Sequence, residues 1–387
     1  MTEAAALPVV VVGSGLAGYT AAREFRKLDR RTPLVVVSRD AAGFYSKPML
    51  SNALAGRKTA ATLVMKTAEK MGEELAATVH AHTELRQIDT TAQVVLLADG
   101  ESIAYRDLVL ALGADPIRLP LEGDSADGVL SVNDLDDYAR FAERLEGVSR
   151  VAILGGGLIG CEFANDLLAR GIAPTVVDLA AWPLSRLLPA FAGAWLRERL
   201  EAAGLRFRFE VAATRIDCSA SGYTLGLNDG SRIEAGLVLS ALGLRPRTAL
   251  AHDAGLAIRR GIVTDRMLAT SAAHVHALGD CAEVEGLTLP YVMPIMQQAR
   301  ALAATLAGTP TAVIYPAMPV VVKTPACPTV VCPPPLDAVG EWSVQSDAQA
   351  LVARFHGADG RLLGFALMGS ATSQRQALAA QVPGLLK

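Results

Sequence analysis

Short apolar runs and segments with a helical spacing of apolar positions alternate over the first forty residues. An apolar run at 8–12 is followed by a glycine-rich turn at 13–18, and a second run lies at 34–37. Between them, apolar side chains recur every three or four positions, at Ala17, Ala21, Phe25 and Leu28. This period indicates a helix with one apolar face, and the continuous runs indicate buried strands. The pattern therefore predicts a strand, helix and strand unit.

The same order of elements returns in the middle of the chain. An apolar run at 151–154 leads into a glycine-rich turn at 155–160, whose first glycine lies 142 positions after that of the first turn. Two Asp-Gly turns, at 99–100 and 229–230, lie 130 positions apart, and each is predicted to close a hairpin. A further strand follows each hairpin, with the sequence LVLALG at 108–113 and LVLSALG at 237–243. The repeat predicts two nucleotide-binding folds, each with an inserted hairpin.

The last third of the chain departs from this repeat. A third apolar strand ends at Gly279-Asp280, and a helix is predicted over 291–306. Eight prolines between 310 and 335 predict a linker with an irregular edge. Alternating apolar and polar residues after 350 predict a small β-hairpin with a closing helix. The expected fold class is α/β, with two Rossmann-like dinucleotide-binding domains and a small α+β C-terminal domain.

Composition and charge narrow the class of protein. Over 387 residues, 51% hydrophobic and 19% charged positions exclude a disordered, collagen-like or coiled-coil chain. A net charge of −3 gives no field that attracts nucleic acid or an anionic membrane. The uncharged stretch 4–22 contains a proline and three glycines and has no basic residues ahead of it, so we expect a strand and turn there and no membrane anchor. Five scattered cysteines predict a reducing, cytoplasmic location.

Both glycine-rich turns match the pattern Gly-x-Gly-x-x-Gly between a strand and a helix. The first glycine permits the tight turn, the second lets the backbone approach a pyrophosphate, and the third lets helix and strand pack closely. We therefore predict dinucleotide contacts at both turns. The predicted residues are Gly13, Ser14, Gly15, Leu16 and Gly18 in the first turn, and Gly155, Gly157 and Gly160 in the second.

An acidic residue follows the second strand of each unit, where a carboxylate accepts hydrogen bonds from ribose hydroxyls. In the second fold this residue is Asp178, which would repel the 2′-phosphate of NADPH, so we expect NADH to be preferred. The alternative for Asp178 is an ordinary carboxylate at the end of a strand. In the first fold Ser38 precedes Asp40, and we assign both to the ribose site.

The Gly279-Asp280 pair suits a long cofactor such as FAD, whose ribityl chain and isoalloxazine ring reach across a domain. This organisation resembles the FAD-dependent pyridine nucleotide oxidoreductases with two dinucleotide-binding domains, over essentially the whole chain. More specific segments are similar to those of the rubredoxin reductases within that family. They are YSKPML at 45–50, GGGLIGCEFA at 155–164, LGDCAE at 278–283, YVMP at 291–294 and VKTPACP at 322–328.

The resemblance implies a discontinuous FAD-binding domain into which the NAD-binding domain is inserted. The predicted boundaries are 1–116 and 244–312 for the two parts of the FAD-binding domain, 117–243 for the NAD-binding domain, and 313–387 for a C-terminal interface domain.

The resemblance also implies a set of cofactor contacts. It places Lys47, Glu162 and Lys323 beside the isoalloxazine ring, as catalytic residues. Because reduction places negative charge on the ring, a nearby ammonium would stabilise the product. The alternative for each lysine is a solvated surface charge. The other implied contacts are Asp280 with the ribityl chain, Leu85 and Val292 through their backbones, and Pro48, Gly113, Gly243 and Gly279.

The cysteines indicate how electrons leave. Disulphide reductases of this family carry a Cys-x4-Cys near the first unit or a Cys-x2-Cys in the NAD-binding domain, and neither occurs here. Cys327 and Cys332 have four residues between them, but their prolines and C-terminal position depart from the pattern. We therefore expect electrons to leave directly from the flavin. The His-x-His pairs at 80–82 and 274–276 lack further ligands at metal spacing, so no metal site is expected.

The predicted function is electron transfer from NADH to rubredoxin, by hydride transfer to tightly bound, non-covalent FAD and then release of single electrons. Arg57, Lys58 and Lys323 are candidates for a basic rim that meets an acidic rubredoxin. The alternatives are a [2Fe-2S] ferredoxin or a flavodiiron-type acceptor, an NADH oxidase, and a non-enzymatic NADH sensor. We expect a monomer and a transient rubredoxin complex that buries less than about 1,200 Å².

Overall fold

The computed structural model describes residues 6–386, so the outermost ends of the predicted domains, 1–5 and 387, lie outside the described residues. The first apolar run forms the strand Val9–Val12, which is buried because it pairs with a parallel strand on each edge. Its sheet is parallel throughout. The spatial order of the strands is Val275–Ala277, Asp107–Leu110, Val9–Val12, Leu34–Val37 and Thr78–His80.

A second parallel sheet repeats this design. Its strands, in spatial order, are Arg206–Phe209, Ala173–Asp178, Arg150–Leu154 and Leu237–Ser240. Each parallel sheet is accompanied by a three-stranded antiparallel sheet that contains the predicted Asp-Gly hairpin. These strands are Leu85–Asp89, Val94–Leu97 and Ser102–Ala104 in the first fold, and Ala213–Ser219, Gly222–Leu227 and Arg232–Ala235 in the second.

Two short strand pairs complete this part of the chain. Ala114–Pro116 pairs in an antiparallel sense with Leu244–Pro246, next to the predicted boundaries at 116/117 and 243/244. Ile262–Thr264 pairs in parallel with Ala282–Val284. The first pair joins the segments that lead into and out of the second parallel sheet, while the domain boundaries themselves stay a prediction.

The C-terminal part forms a five-stranded antiparallel sheet, which is larger than the predicted hairpin. Two of its strands lie within the proline-rich stretch, where a linker with an irregular edge was expected. Prolines at 319, 328 and 333 directly flank these strands and do not interrupt them, which suits a residue without a backbone N–H. The spatial order is Val320–Val322, Thr329–Cys332, Leu362–Gly369, Ala350–Gly357 and Gly340–Ser346.

Two helices begin within the glycine-rich segments, directly after the second glycine of each: the first glycine helix, Leu16–Leu28, and the second glycine helix, Leu158–Leu168. The other α-helices are Ala60–Leu63, Ala68–Leu75, Leu135–Arg144, Ala190–Ala202, Ala249–Asp253, Val292–Leu306 and Arg375–Ala379, and 3-10 turns cover Lys47–Asn52, Ala126–Gly128, Gly279–Cys281 and Ser370–Gln374. Within residues 6–386, no helix has the length and apolar character needed to cross a membrane.

Candidate active site

Close backbone contacts shape the first glycine turn. Gly13 has a φ of +111°, and a Cβ built on it would lie 2.2 Å from the carbonyl oxygen of Ala111. A Cβ on Gly18 would lie 1.9 Å from the carbonyl oxygen of Gly13, whereas a Cβ on Gly15 would have no atom within 4 Å. The fold therefore requires the first and third glycines, and the second leaves open space at a helix N-terminus. This arrangement leaves room for the pyrophosphate of a dinucleotide, and FAD stays the prediction for this turn.

The second glycine turn has the same construction. Gly155 has a φ of +106°, and its Cβ would lie 2.6 Å from the carbonyl oxygen of Ala241. A Cβ on Gly160 would lie 1.9 Å from the carbonyl oxygen of Gly155, and a Cβ on Gly157 would again meet nothing within 4 Å. This turn leaves room for a dinucleotide pyrophosphate in the same way, and NADH stays the prediction for it.

The predicted ribose-binding acids lie beside these turns. In the first fold, Asp40 Oδ1 accepts hydrogen bonds from the hydroxyls of Ser38, at 2.7 Å, and Ser14, at 3.1 Å. In the second fold, the Asp178 carboxylate accepts from the backbone N–H of Gly156, within the turn, and from that of Ala180, at 2.8 Å. The structure thus brings both acids to their glycine turns, and their contacts with ribose stay a prediction.

Other predicted cofactor residues border the first turn. A Cβ on Gly279 would lie 2.7 Å from Cβ of Ala17, so the 3-10 turn that carries Asp280 packs against the first glycine helix. Leu85 begins a strand shortly after Thr83, whose backbone N–H donates to the carbonyl of Ser38 at 2.8 Å. These contacts place three distant segments around one end of the first parallel sheet.

The remaining predicted residues stand at the ends of helices and strands. Leu16 and Val292 are the first residues of their helices, and Val292 is 40% exposed. Gly113 and Gly243 have φ values of +73° and +103°, which favour glycine, and each precedes one strand of the antiparallel pair between the folds.

Glu162 and Lys323 form an ion pair in which the carboxylate is buried and the ammonium is partly exposed. The Lys323 Nζ lies 2.7 Å from Oε2 of Glu162, a residue that is only 1% exposed. The backbone N–H of Lys323 donates to Oε1 of the same carboxylate at 2.9 Å. The Lys323 ammonium also donates to the Ser51 hydroxyl, at 2.6 Å, and to the carbonyl of Pro48. The charge of Lys323 is therefore engaged within the protein, whereas Arg57 and Lys58, the other residues of the expected basic rim, are exposed.

Lys47 begins the same 3-10 turn that contains Pro48 and Ser51. Burial lowers the pKa of Lys47, and the charge of the nearby Asp280 opposes this effect. Within residues 6–386 the ammonium of Lys47 makes no hydrogen bond and no ion pair. Lys47 is therefore a partly buried cation whose three N–H groups are available to a ligand, and the residue that follows it, Pro48, accepts from Lys323.

Comparison with known proteins assigns these features to a family. Residues 7–305 match the family described as pyridine nucleotide-disulphide oxidoreductase. The chain belongs to the pyridine nucleotide-disulphide oxidoreductase family. Residues 312–382 match a second description, rubredoxin binding C-terminal domain. The predicted family and fold class are thereby confirmed.

Individual relatives are similar over their whole length. The rubredoxin-NAD(+) reductase of Alcanivorax borkumensis is 48% identical, over 98% of this chain and 99% of its own. That of Acinetobacter baylyi is 45% identical, over 98% of both chains. Among solved structures, a ferredoxin reductase from Rhodopseudomonas palustris has a TM-score of 0.88 at 26% identity, and the match covers 97% of this chain and 95% of that one.

The cysteines of this family member are all free thiols. Cys327 and Cys332, the pair with disulphide-like spacing, are both buried in or beside the C-terminal sheet. Burial raises the pKa of Cys332 to about 11 and also raises the pKa of Cys327, so neither favours the thiolate that disulphide exchange requires. Within residues 6–386 there is no cluster of three or more potential metal ligands.

Three polar residues of the site were missed by sequence reasoning: Ser51, Asn165 and Asp166. The buried Asp166 carboxylate accepts from the backbone N–H groups of Leu54, at 2.9 Å, and Ala55, at 2.8 Å. Asn165 Oδ1 accepts from the backbone N–H of Ala326 at 3.3 Å. Glu162, Asn165 and Asp166 have the spacing of one helix face, so their grouping on an otherwise apolar helix was the available signal.

Proposed function

We propose that this chain is an NADH-dependent flavoprotein that reduces rubredoxin, one electron at a time. The observation that carries the proposal is that the segment matching a rubredoxin-binding domain supplies Lys323 to the ion pair with the buried carboxylate of Glu162. This contact links the expected docking domain to the expected flavin site. The balanced reaction oxidises one NADH to NAD⁺, reduces two rubredoxins by one electron each, and releases one proton.

The residues that would hold FAD surround the first glycine turn. Gly15 leaves room for the pyrophosphate, Asp40 and Ser38 would bind ribose, and Asp280 would reach the ribityl chain. Bound FAD accepts two electrons from NADH and can release them singly. The chain's own contribution would be to place the charges of Lys47 and Lys323 where negative charge develops, with Lys323 held by its three acceptors before the reaction.

NADH would bind on the second glycine turn, with Asp178 on its adenosine ribose. The second glycine helix begins at this turn, and Glu162 lies in the second turn of the helix. The nicotinamide would therefore enter from the side of the ion pair. We place this reaction in the cytoplasm, where NADH is supplied.

The acceptor is tested by rapid mixing of the anaerobically reduced protein with rubredoxin, with a [2Fe-2S] ferredoxin and with a flavodiiron-type acceptor. We expect rubredoxin to be reduced fastest, and the rate to fall as salt is added, because exposed charges such as Arg57 and Lys58 would steer the encounter. Faster reduction of ferredoxin would refute the choice of acceptor. Rapid NADH turnover in air without a carrier would instead indicate an oxidase.

A further inference from the structure

Ser51 is a buried serine with two short side-chain contacts. It is 3% exposed and lies in the 3-10 turn Lys47–Asn52. Its hydroxyl donates to Oε2 of Glu162 at 2.5 Å and accepts from Nζ of Lys323 at 2.6 Å. A hydroxyl has one donor and two lone pairs, so this arrangement uses the donor on the carboxylate and one lone pair on the ammonium. Ser51 therefore bridges the two members of the ion pair.

With the Ser51 hydroxyl, the Lys323 ammonium has a full set of hydrogen-bond acceptors. An ammonium has three N–H donors. Here they are directed to Oε2 of Glu162, at 2.7 Å, to the Ser51 hydroxyl, and to the carbonyl of Pro48. Each of the three N–H donors of Lys323 therefore has an acceptor within the protein, and these acceptors come from two different segments of the chain.

Without the Ser51 hydroxyl, one of the three N–H donors of Lys323 would lose its acceptor in the protein. The Lys323 side chain is 27% exposed, so water is available as a replacement acceptor. A lysine side chain also gains considerable rotamer freedom when a contact is lost. Glu162, in contrast, stays buried and keeps its bond to the backbone N–H of Lys323. Loss of the hydroxyl would thus release the ammonium more than the carboxylate.

We propose that Ser51 is a positioning residue for flavin reduction: its hydroxyl bridges Glu162 and Lys323 and holds the Lys323 ammonium where its charge stabilises the reduced ring. The inference rests on the proposed function, in which FAD lies against Lys47 and Lys323. Ser51 itself needs no contact with the reacting atoms. Its effect reaches the flavin through the position of one charge.

The experiment compares Ser51→Ala and Ser51→Thr with the unaltered holoprotein. Two quantities are measured without rubredoxin: the midpoint potential of the flavin, by anaerobic titration against redox dyes, and the rate constant of flavin reduction by NADH, by stopped flow. We expect Ser51→Ala to lower the potential and to slow reduction about tenfold. Ser51→Thr keeps the hydroxyl and should stay within about twofold of the unaltered protein. Ser343→Ala, at an exposed position of the C-terminal sheet, is the matched control.

A double-mutant cycle with Lys323→Met tests whether Ser51 acts through the lysine. Lys323→Met alone should lower the potential, and adding Ser51→Ala to it should change nothing further. Additive effects would overturn the proposal, as would a Ser51→Ala protein with full FAD content and an unchanged potential and rate. If Ser51→Ala fails to retain FAD, Ser51→Cys takes its place, with the same expectations.

The outcomes also separate this inference from the proposed function. Because neither measurement contains rubredoxin, failure of the unaltered protein to reduce rubredoxin would remove only the proposed acceptor. An unchanged flavin potential in Lys323→Met would instead show that Lys323 does not lie beside the flavin, and would overturn the role of Ser51 together with that part of the site.

Discussion

Gly157→Ala would add a methyl group to the space that we propose for NADH and should leave the fold intact. Gly157 precedes the second glycine helix with φ −75° and ψ −169°, angles that alanine adopts without strain. The added methyl group would have no neighbour within 4 Å. The change therefore separates binding of the dinucleotide from stability of the domain.

The expected magnitudes differ for the two properties. Replacing glycine by alanine at a compatible position stabilises a protein by about 0.4–1 kcal/mol through the unfolded state. Losing glycine at a helix N-cap costs about 1 kcal/mol, so the net change in the free energy of unfolding should stay within about 1 kcal/mol. The methyl group would, however, keep the pyrophosphate from the backbone N–H groups. Losing one such charge-assisted bond costs about 1.5–3 kcal/mol, or roughly tenfold to a hundredfold in affinity.

The assay is the dependence of the flavin-reduction rate on NADH concentration, measured anaerobically, together with thermal unfolding. Gly157→Ala should need at least tenfold more NADH for half-saturation and should unfold at an almost unchanged temperature. Gly160→Ala is the matched control, because its methyl group would lie 1.9 Å from the Gly155 carbonyl oxygen and should destabilise the domain. An NADH dependence within twofold of the unaltered protein would refute binding of the pyrophosphate at this turn.

Three further predictions concern the first turn, the coenzyme preference and stability. Gly15→Ala should fold normally but bind FAD at least tenfold more weakly, and a normal ratio of flavin to protein absorbance after purification would contradict this. Asp178→Asn should lower the ratio of kcat/KM for NADH to that for NADPH about tenfold, because the charge that repels the 2′-phosphate is removed, and an unchanged ratio would exclude Asp178 from the ribose site. Burial resists ionisation of Asp107, but the Arg106 guanidinium, which donates to Oδ2 at 2.8 Å, and the nearby rings of His276 and His274 outweigh it and lower the pKa to about 2. The resulting stabilisation, about 2 kcal/mol, is fully present above the ordinary carboxyl pKa of 3.8 and is lost as the pH falls through 2. Asp107→Asn should therefore lower the free energy of unfolding by about 2 kcal/mol at pH 7 and by less at pH 3, and equal losses in urea denaturation at both pH values would contradict the assignment.

The two parallel sheets and the glycine turns could be predicted because their signals are local. Valine runs, the helical period after each turn and the Asp-Gly hairpins all lie within short windows of sequence. The C-terminal sheet was harder, since the strand Val320–Val322 is only three residues long and its neighbours are set by pairing with Thr329–Cys332. The prolines around these strands resemble those of a linker. Only the strand pairing shows that the prolines lie outside the hydrogen-bonded β-ladder.

The structure joins Glu162 to Lys323, two residues that the resemblance had named, but neither this contact nor the buried carboxylate of Asp166 was predicted. Lys47, Glu162 and Lys323 were named by resemblance, but the resemblance gave no reason to include Ser51. The hydrogen bonds of Ser51 join it to a residue 111 positions away and to another 272 positions away. No periodicity or motif spacing encodes a bridge between segments so far apart, because it arises from tertiary packing alone.

The second glycine helix connects the two halves of the proposed reaction. Its N-terminal turn faces the expected NADH site, and Glu162 follows five residues after Gly157, about 7.5 Å further along the axis. One turn beyond, Asp166 binds the backbone of the segment that follows Ser51, at Leu54 and Ala55. Because a helix of this length is rigid, these contacts fix the distance between the turn proposed to bind NADH and the segment that carries Lys47. A change that shifts the helix should therefore alter NADH binding and the position of the charges proposed to face the flavin together, whereas Gly157→Ala should alter only NADH binding.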